Sequence, residues 1–275
     1  MKKTNQEGIG HLVLILVMLV VALVGFAGWR VMQGKTSNNG TSSSKSSGKI
    51  VTWEWSGEKW TASSTAPACS TPLAFAQSPT DVSKVVSVLY PGQQRSSGYK
   101  PHGGFRFEDS KSGDIAVKMP TDAHLVSGSR YIEMGETQYM FFFQTNCGLA
   151  FRFDHLLTLD PKFQAIADTL PAAKQDDSRT TDFDKPQSFK TGDVVATAVG
   201  FPKLSNTSFD FGVYDLRQRN SAASDSNYVS KHQNELSQAA YGLCWFDLLP
   251  ASDATTVKSL PSTDQQSGTK SDYCK

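Results

Sequence analysis

An almost uninterrupted apolar run over residues 12–29 constrains the fold of this chain more than any other feature of its sequence. A run of this length can span the hydrocarbon core of a bilayer, and His11 and Arg30 stand at its edges. A cleaved secretory signal would have a shorter apolar core that ends in a small-residue cleavage site, and no such site is evident. We therefore predict one N-terminal transmembrane helix over residues 12–30, after a short cytoplasmic tail over residues 1–11.

The segment behind this run, residues 31–49, is predicted to be a flexible linker. From residue 34 onward it consists almost wholly of Gly, Ser, Thr, Asn and Lys, a composition that cannot bury a core. Because basic residues lie on both sides of the span, the positive-inside rule does not decide its orientation. Because long domains translocate largely regardless of charge, we expect a single-pass protein of the plasma membrane with its C-terminal domain outside the cytoplasm.

The charge balance and the cysteines restrict the class of protein. The net charge is +1 and there is no long basic block, so nothing indicates a nucleic-acid partner. The four cysteines are widely spaced and never form a C-x-x-C pair, which argues against a zinc ribbon or a thioredoxin-like motif. For a domain outside the cytoplasm we expect the disulfides Cys244–Cys274 and Cys69–Cys147, and the two other pairings stay open.

From residue 50 onward the sequence reads as a succession of short strands. Apolar and polar residues alternate, and glycine-containing turns recur about every ten residues. The strand segments are FRFED, DIAVKMP, HLVSGSRYIEMG, TQYMFFFQTNCG, LAFRFDHLLTL, GDVVATAVG and FDFGVYDLR. We predict a mainly β fold, an antiparallel sheet or sandwich with a few short helices near residues 163–170 and 226–241.

The stretch YKPHGGFRFED, residues 99–109, holds the first candidate site residue. His102 precedes two glycines, and the residues from Phe105 to Glu108 then alternate at the strand period of two. A tight, glycine-permitted approach to a strand is a common way to present a side chain at the rim of a sheet. We therefore expect His102 to stand at such a rim.

The order of motifs from here on resembles the lysostaphin/LytM-type zinc metalloendopeptidases, which cut peptide cross-links of bacterial cell walls. Their first motif, His-x-Gly-x-Asp-Phe, is similar to HGGFRF at residues 102–107, and IAVKMPTDAHLVSGS, CGLAFRFDHLLTL, FKTGDVVATAVG and SFDFGVYDLR follow in the family's order. The resemblance implies a LytM-type β domain over residues 98–219. Residues 50–97 would precede it, and residues 220–275 would form a helical, disulfide-tied extension.

The resemblance also implies a metal site, most of whose residues are replaced here. In the family, zinc is held by the histidine and aspartate of the first motif and by the second histidine of the last motif, while two other histidines assist proton transfer. Matched by position, His102 remains as a ligand and His155 as a helper. Arg106 replaces the aspartate, Asp210 the other ligand and Ser208 the second helper. A guanidinium has no lone pair for a metal, so no cofactor is expected, and zinc would require an altered ligand set that includes His102 and Asp210.

Arg106 and Asp210 occupy positions that the family joins through its metal, so we predict that a direct charge-assisted pair bridges them. Glu108 lies two residues from Arg106 and is expected on the same strand face. Asp154 is expected to face away from the histidine that follows it on its strand. The candidate binding groove consists of His102, Arg106, Glu108, Ser208 and Asp210.

These residues predict a membrane-anchored, peptidase-like domain that has lost its catalyst. Its groove would bind peptidoglycan peptide or glycan, or the domain would regulate a cell-wall hydrolase. One alternative is an active zinc endopeptidase with an altered ligand set and His155 as general acid or base. Another is a pilin-like surface subunit, because QEGIGHLVLILVMLVVALVG resembles the start of type IV prepilins. Those are cleaved after the position of Gly8, and the glutamate five residues on is Val13 here.

Overall fold

The structure, a computed structural model, describes residues 49–95, 98–263 and 270–274. The predicted cytoplasmic tail, the predicted transmembrane helix and the linker up to residue 48 lie outside the described residues. Within the described part, no helix has the length and apolar character needed to cross a membrane. The described residues belong to a unit that spans Lys49–Lys275.

Thirteen strands are found among the described residues, and nine of them form one antiparallel sheet. The strands are β1 (Trp53–Trp55), β2 (Trp60–Ala62), β3 (Ser87–Leu89), β4 (Gln93–Arg95), β5 (Gly98–Lys100), β6 (Gly103–Arg106), β7 (Val117–Lys118), β8 (Ala123–Glu133), β9 (Glu136–Gln144), β10 (Leu149–Leu159), β11 (Thr181–Phe189), β12 (Val194–Val199) and β13 (Ser208–Asp215). The sheet runs in the order β11-β8-β9-β10-β13-β6-β3, and β12 pairs with both β10 and β7. The hairpins β1–β2 and β4–β5 stand apart from it.

The helices are short. They are α1 (Pro161–Ala167), α2 (Ser226–Lys231), α3 (Leu236–Ala239) and α4 (Ala251–Ser259), with several single turns of 3-10 helix. The first predicted helix corresponds to α1, which starts behind the Asp160 side chain as its N-terminal cap. The second breaks into α2, a 3-10 turn and α3. The predicted class, mainly antiparallel β with a few short helices, is confirmed.

Phenylalanines at alternate positions of the central strands cover one face of the sheet. Because successive side chains of a strand point to opposite faces, every second residue is directed to this side. The fully buried set is Phe105, Phe107, Phe141, Phe143, Phe151, Phe153, Phe209 and Phe211. The rings of Phe143 and Phe151 stack with centroids 5.1 Å apart, and those of Phe153 and Phe211 stack at 5.3 Å. Each such burial stabilises the fold by about 1.5–3 kcal/mol, so this layer is the main hydrophobic contribution of the sheet.

Residues from distant parts of the sequence cover the phenylalanine layer. Phe75 lies before the predicted central domain and Trp245 lies after it, yet both rings pack on Phe211, with centroids 5.9 and 5.3 Å away. Trp245 is fully buried. The three segments predicted from the sequence therefore share one hydrophobic core.

Both predicted disulfides, Cys69–Cys147 and Cys244–Cys274, are present. The first joins the segment before the core to the turn between β9 and β10. The second ties the C-terminal segment to the chain that leads into the 3-10 turn at residues 245–248. Each disulfide therefore joins a long irregular segment to the packed part of the unit. Such a cross-link restricts the unfolded chain and in this way stabilises the folded one.

The C-terminal region also closes one edge of the sheet. β3 is the terminal strand of the sheet order, and its Val88 forms a parallel bridge with Ser262. The Val88 N–H donates to the Pro261 carbonyl and the Thr263 N–H donates to the Val88 carbonyl, each at 3.0 Å. Backbone groups that an edge strand would leave open are thus paired within the chain.

The other edge strand, β11, is not predicted from the sequence. It contains Pro186 and several charged residues, and it pairs with β8 only near its two ends. Asp182 lies opposite Ser127 and Ser188 lies opposite His124, with an irregular stretch between. Proline and charged residues are typical of edge strands, and they hide the alternation by which a strand is recognised.

Substitution of two neighbouring phenylalanines of β9 can test which face of the sheet is the core face. Phe143 is fully buried in the core, whereas Phe142 is half-buried on the opposite face. We expect Phe143→Ala to lower the free energy of unfolding by about 3–5 kcal/mol, because it empties a buried aromatic site. Phe142→Ala should lower it by less than half as much. Urea denaturation followed by circular dichroism measures both changes, and equal losses would contradict the assignment of the faces.

Candidate functional site

Polar side chains line the face of the sheet opposite the phenylalanines. The strand register places Asp154 of β10 opposite Asp210 of β13, and Arg106 of β6 opposite Ser208 of β13. These side chains line a cavity of about 770 Å³, called here the polar cavity, whose further walls come from β8, β9 and the loop before β13. Small-molecule and peptide sites usually measure about 300–1,000 Å³, so the polar cavity is the candidate functional site.

His102, His155 and Asp210 come together in the polar cavity. The distance from His102 Nε2 to Asp210 Oδ2 is 3.0 Å, and His155 Nε2 lies 3.7 Å from the same oxygen. His102 and Asp210 are buried and His155 is half-buried. Residues that the sequence assigns to two ligand positions and one helper position of the LytM-type motif thus form one cluster, although they are distant in the chain.

A β-bulge at His155 orients this histidine. Its φ is +60°, and the pairing of β10 with β9 shifts register between Phe153 and Leu156. The bulge interrupts the alternation of side chains, so Asp154 and His155 both line the polar cavity. The expectation that Asp154 faces away from His155 is therefore wrong, because it assumed a regular strand.

Tyr131 and Asp154 form a hydrogen-bonded support for His155. The Tyr131 hydroxyl donates to Asp154 Oδ1 at 2.6 Å and lies 3.4 Å from His155 Nδ1. The same carboxylate oxygen accepts the backbone N–H of His155 at 2.9 Å. On the outer side, Glu133 Oε2 lies 3.7 Å from His155 Nδ1. The imidazole is thus held between Asp210 on one side and Tyr131 and Glu133 on the other.

Arg152 is the buried cation beneath this cluster, and sequence analysis did not single it out. Its Nη2 donates to Asp154 Oδ2 in a short ion pair. Burial alone would lower the pKa of Arg152, but the charge of Asp154 together with Tyr214, Asp210 and Tyr131 outweighs it, and the pKa lies above the ordinary value. The Arg-x-Asp spacing at 152 and 154 was a usable signal, because it puts both side chains on one face of a strand.

Two glycines make room for the cluster on the sheet. Gly104 lies opposite Asp210, and a Cβ at this position would stand 2.8 Å from Asp210 Oδ1. A Cβ at Gly212 would stand 2.5 Å from the Tyr214 hydroxyl and 2.8 Å from the Cβ of His102. The carboxylate and the histidine can therefore lie flat against the strands only because these positions carry no side chain.

Burial and the Arg152 cation lower the pKa of His102 to about 4, against the opposing effect of Asp210. For Asp210, burial alone would raise the pKa, but the hydrogen bond and charge of His102 and the charge of His155 hold it well below the ordinary value. At neutral pH the pair is therefore a neutral imidazole that donates its Nε2–H to a charged carboxylate. The His102 Nδ1 atom is buried and has no hydrogen-bond partner among the described residues.

Arg106 does not pair with Asp210, so this prediction is wrong. Its Nη1 donates instead to Asn206 Oδ1 at 2.9 Å and to Ser208 Oγ at 2.8 Å. The reason is the register of the strands. Ser208 is the cross-strand partner of Arg106, whereas the partner of Asp210 is Gly104, two pairs further along. The guanidinium extends away from the carboxylate and toward the start of β13.

Glu108 does not belong to the polar cavity, which corrects a second prediction. β6 ends at Arg106, and Glu108 is exposed in the turn that follows. Its Oε1 accepts a hydrogen bond from the Ser87 hydroxyl at 3.3 Å. The prediction failed because it extended the strand alternation past the last residue of the strand.

Two of the three ligand positions that the LytM-type resemblance implies carry a metal donor here. A catalytic zinc site has three protein ligands and one open position. His102 and Asp210 supply two donors, but the third position of the motif is the Arg106 guanidinium, which has no lone pair. Among the residues that the structure describes, no group of three or more His, Cys, Asp or Glu side chains is arranged to hold a metal ion.

Comparisons with protein-family models, with characterised proteins and with solved structures give no match for this chain. They do not test the resemblance to the LytM-type family, which stays a prediction. The function is therefore inferred from the chemistry of the site.

The low pKa of His102 predicts a specific pH dependence of stability. Its pKa is about 4 in the folded chain against an ordinary value of 6.5, so between these values the unfolded chain binds the proton more strongly. The stability that the neutral histidine contributes is full above pH 6.5 and is lost as the pH falls toward 4. We expect this residue to lower the free energy of unfolding by about 2–3 kcal/mol between pH 7 and pH 4.5.

Urea denaturation of the unchanged chain and of His102→Gln at the two pH values measures this effect. The variant is expected to be less stable at pH 7 and to lose much less stability on acidification. The readout is the difference between the two pH values, so a general weakening of the fold does not affect it. Equal losses in both chains would contradict the assignment to His102.

Proposed function

We propose that this chain is a membrane-anchored protein whose polar cavity, outside the cytoplasm, binds the peptide of peptidoglycan without cleaving it. The resemblance of residues 98–219 to the LytM-type peptidases supports the substrate class, and the charge pattern of the cavity supports the mode of binding. Cell-wall peptides are short, carry free carboxylates and are rich in alanine. A matching site needs an available cation and small apolar contacts.

The proposal rests on the hydrogen bonds of the Arg106 guanidinium, which is not paired with a carboxylate among the described residues. It is half-buried in the polar cavity, and its hydrogen bonds go to the neutral Asn206 amide and the neutral Ser208 hydroxyl. No carboxylate among the described residues forms an ion pair with it. A guanidinium can hold a carboxylate through two parallel N–H donors, so it offers a binding position for an anionic ligand.

The rim of the polar cavity supplies the apolar contacts. Met134 and Leu204 are the large hydrophobic side chains that stand exposed in the described part of the chain, at 61% and 57%, and both line this cavity. Single exposed hydrophobic residues are ordinary on protein surfaces. Two of them at the mouth of one charged cavity fit the alanine methyl groups of a cell-wall peptide.

The chemistry of the cluster favours binding over hydrolysis. In the resembled family, the metal activates the water, and the two histidines that do not bind it assist proton transfer. Here His102 is neutral and donates to Asp210, and the Arg106 cation stands where that family has a ligand. His155 keeps the helper position, but a motif with donors at two of its three ligand positions would not hold a metal-bound water for it to deprotonate. The residues thus retain the means to position a peptide and lack the means to attack it.

Two peptides that differ only in the charge of their carboxyl groups test the binding mode. The full chain, in a mild detergent, is titrated by calorimetry with a synthetic peptidoglycan stem tetrapeptide and with the same peptide after amidation of its carboxylates. We expect the acidic peptide to bind more tightly, and Arg106→Gln to weaken its binding about tenfold or more, the loss typical of one charge-assisted hydrogen bond. Arg106→Lys should recover part of the affinity, because it keeps the charge but not the planar fork.

Arg179→Gln is the matched control. Arg179 is an exposed arginine outside the polar cavity that pairs with Asp177, and its replacement should leave the affinity unchanged. Equal binding of the acidic and amidated peptides, or an Arg106→Gln chain with full affinity, would refute the proposal.

Zinc content separates binding from catalysis. After purification without chelators or a metal-affinity tag, elemental analysis of the full chain should find far less than one zinc per chain, because two donors do not make a firm site. Incubation with cross-linked peptidoglycan should release no peptide fragments. One zinc per chain, together with cleavage that a chelator abolishes, would establish the alternative of an active endopeptidase with an altered ligand set.

A further inference from the structure

We infer that a second cavity on the same face of the sheet binds a neutral saccharide chain. This cavity of about 660 Å³, called here the tryptophan pocket, is lined by seven aromatic residues: Trp53, Trp55, Trp60, Phe142, Phe143, Phe183 and Tyr214. None of these residues lines the polar cavity. The inference therefore goes beyond the proposed function and rests on separate observations.

The tryptophans are held in place before any ligand arrives. Gln144 fixes Trp53 through two hydrogen bonds, one from the Trp53 N–H at 2.8 Å and one to its carbonyl at 2.9 Å. The Trp60 indole N–H donates to the Ser237 carbonyl at 2.8 Å. The Trp55 and Trp60 rings lie 5.7 Å apart with planes tilted by 55°, and both side chains are half-buried. A preformed platform of this kind binds with little loss of side-chain freedom.

The remaining walls of the pocket carry hydrogen-bonding groups. Asp182 and Asp184 of β11 bring two exposed carboxylates, neither of which has a hydrogen bond or ion pair among the described residues. Thr180 and Ser127 add hydroxyl groups. The C–H faces of a pyranose ring pack on indole rings, and its hydroxyls donate to carboxylates. Aromatic surface beside unpaired acceptors is therefore the chemistry that recognises a sugar.

The charges of the pocket exclude other ligand classes. Glu54, Asp182 and Asp184 line it, and no lysine, arginine or histidine does so in the described part of the chain. A phosphate, a nucleic acid or an acidic peptide would be repelled. An organic cation would be attracted, but an aromatic cage for one ammonium group is much smaller than this pocket. A neutral, hydroxyl-rich chain agrees with both the volume and the charges.

The two cavities are neighbours on one surface. Tyr214 of the tryptophan pocket and Asp210 of the polar cavity project from the same face of β13, four residues apart in the sequence. The Arg152 guanidinium carbon stands 5.5 Å from the centre of the Phe142 ring. A polymer with a sugar backbone and acidic peptide branches can thus reach both sites. To identify the saccharide as wall glycan rests on the proposed function, whereas saccharide binding itself does not.

The test is a titration of the full chain with chitotetraose, a neutral chain of N-acetylglucosamine, in a detergent that has no sugar head group. Tryptophan fluorescence and calorimetry should both report saturable binding. Trp55→Ala should weaken it about tenfold or more, and Trp55→Phe, which keeps an aromatic face, should retain most of the affinity. Asp182→Asn should cause a smaller loss, because the amide oxygen still accepts a hydrogen bond.

Asp176→Asn, the replacement of an exposed acid outside the pocket, is the matched control and should bind as the unchanged chain does. Circular dichroism verifies that each variant is folded. Absence of binding, full affinity in a folded Trp55→Ala chain, or saturable binding of choline with none of chitotetraose would overturn the inference. These titrations contain no peptide, so their failure leaves the peptide proposal intact, and failure of the peptide titrations leaves this inference intact.

Discussion

Both the core and the candidate site depend on the period of two along the central strands. On β10 the order Phe151, Arg152, Phe153, Asp154 sends the rings to one side of the sheet and the charged pair to the other. The floor of the polar cavity therefore stands on strands that pack on the phenylalanine layer. Any movement of its floor would have to disturb the phenylalanine layer beneath it, and close-packed interiors resist such movement.

Charges can be buried on this face because most of them have partners. Arg152 pairs with Asp154, and Asp210 accepts from His102. Burying a charge costs its hydration, and a buried ion pair offsets that cost only when the two groups are within hydrogen-bonding distance. Both pairs meet this condition. The hydrogen bonds of Arg106, by contrast, go to the neutral side chains of Asn206 and Ser208. In the proposed function, Arg106 is the group of this cavity that meets the carboxylate of the ligand.

Sequence reasoning succeeded where structure follows from local pattern and failed where it follows from register. Strands such as β8, β9, β10 and β13 are visible as alternation, whereas the observed cysteine pairing is one of three that the sequence leaves open. The pairing of Arg106 could not be derived, because the register that sets Ser208, and not Asp210, opposite Arg106 depends on contacts across 100 residues. The bulge at His155 could not be predicted either, because the sequence around this residue has the ordinary pattern of a strand. The tryptophan pocket was missed because the hairpin that carries Trp53 meets Gln144 only in the folded chain, 91 residues later.

The pairing of β3 with residues 261–263 has a consequence for how the protein is made. Ser87 and Thr263, which meet at this edge, are 176 residues apart, so the ribosome delivers the strand long before the segment that closes it. During that interval the sheet offers an open row of backbone donors and acceptors, which is a template for pairing with a second chain. Residues 261–263 then protect the edge of the sheet from aggregation, and they do so only once the end of the chain has been synthesised. A chaperone that shields nascent strands would be most needed in that interval.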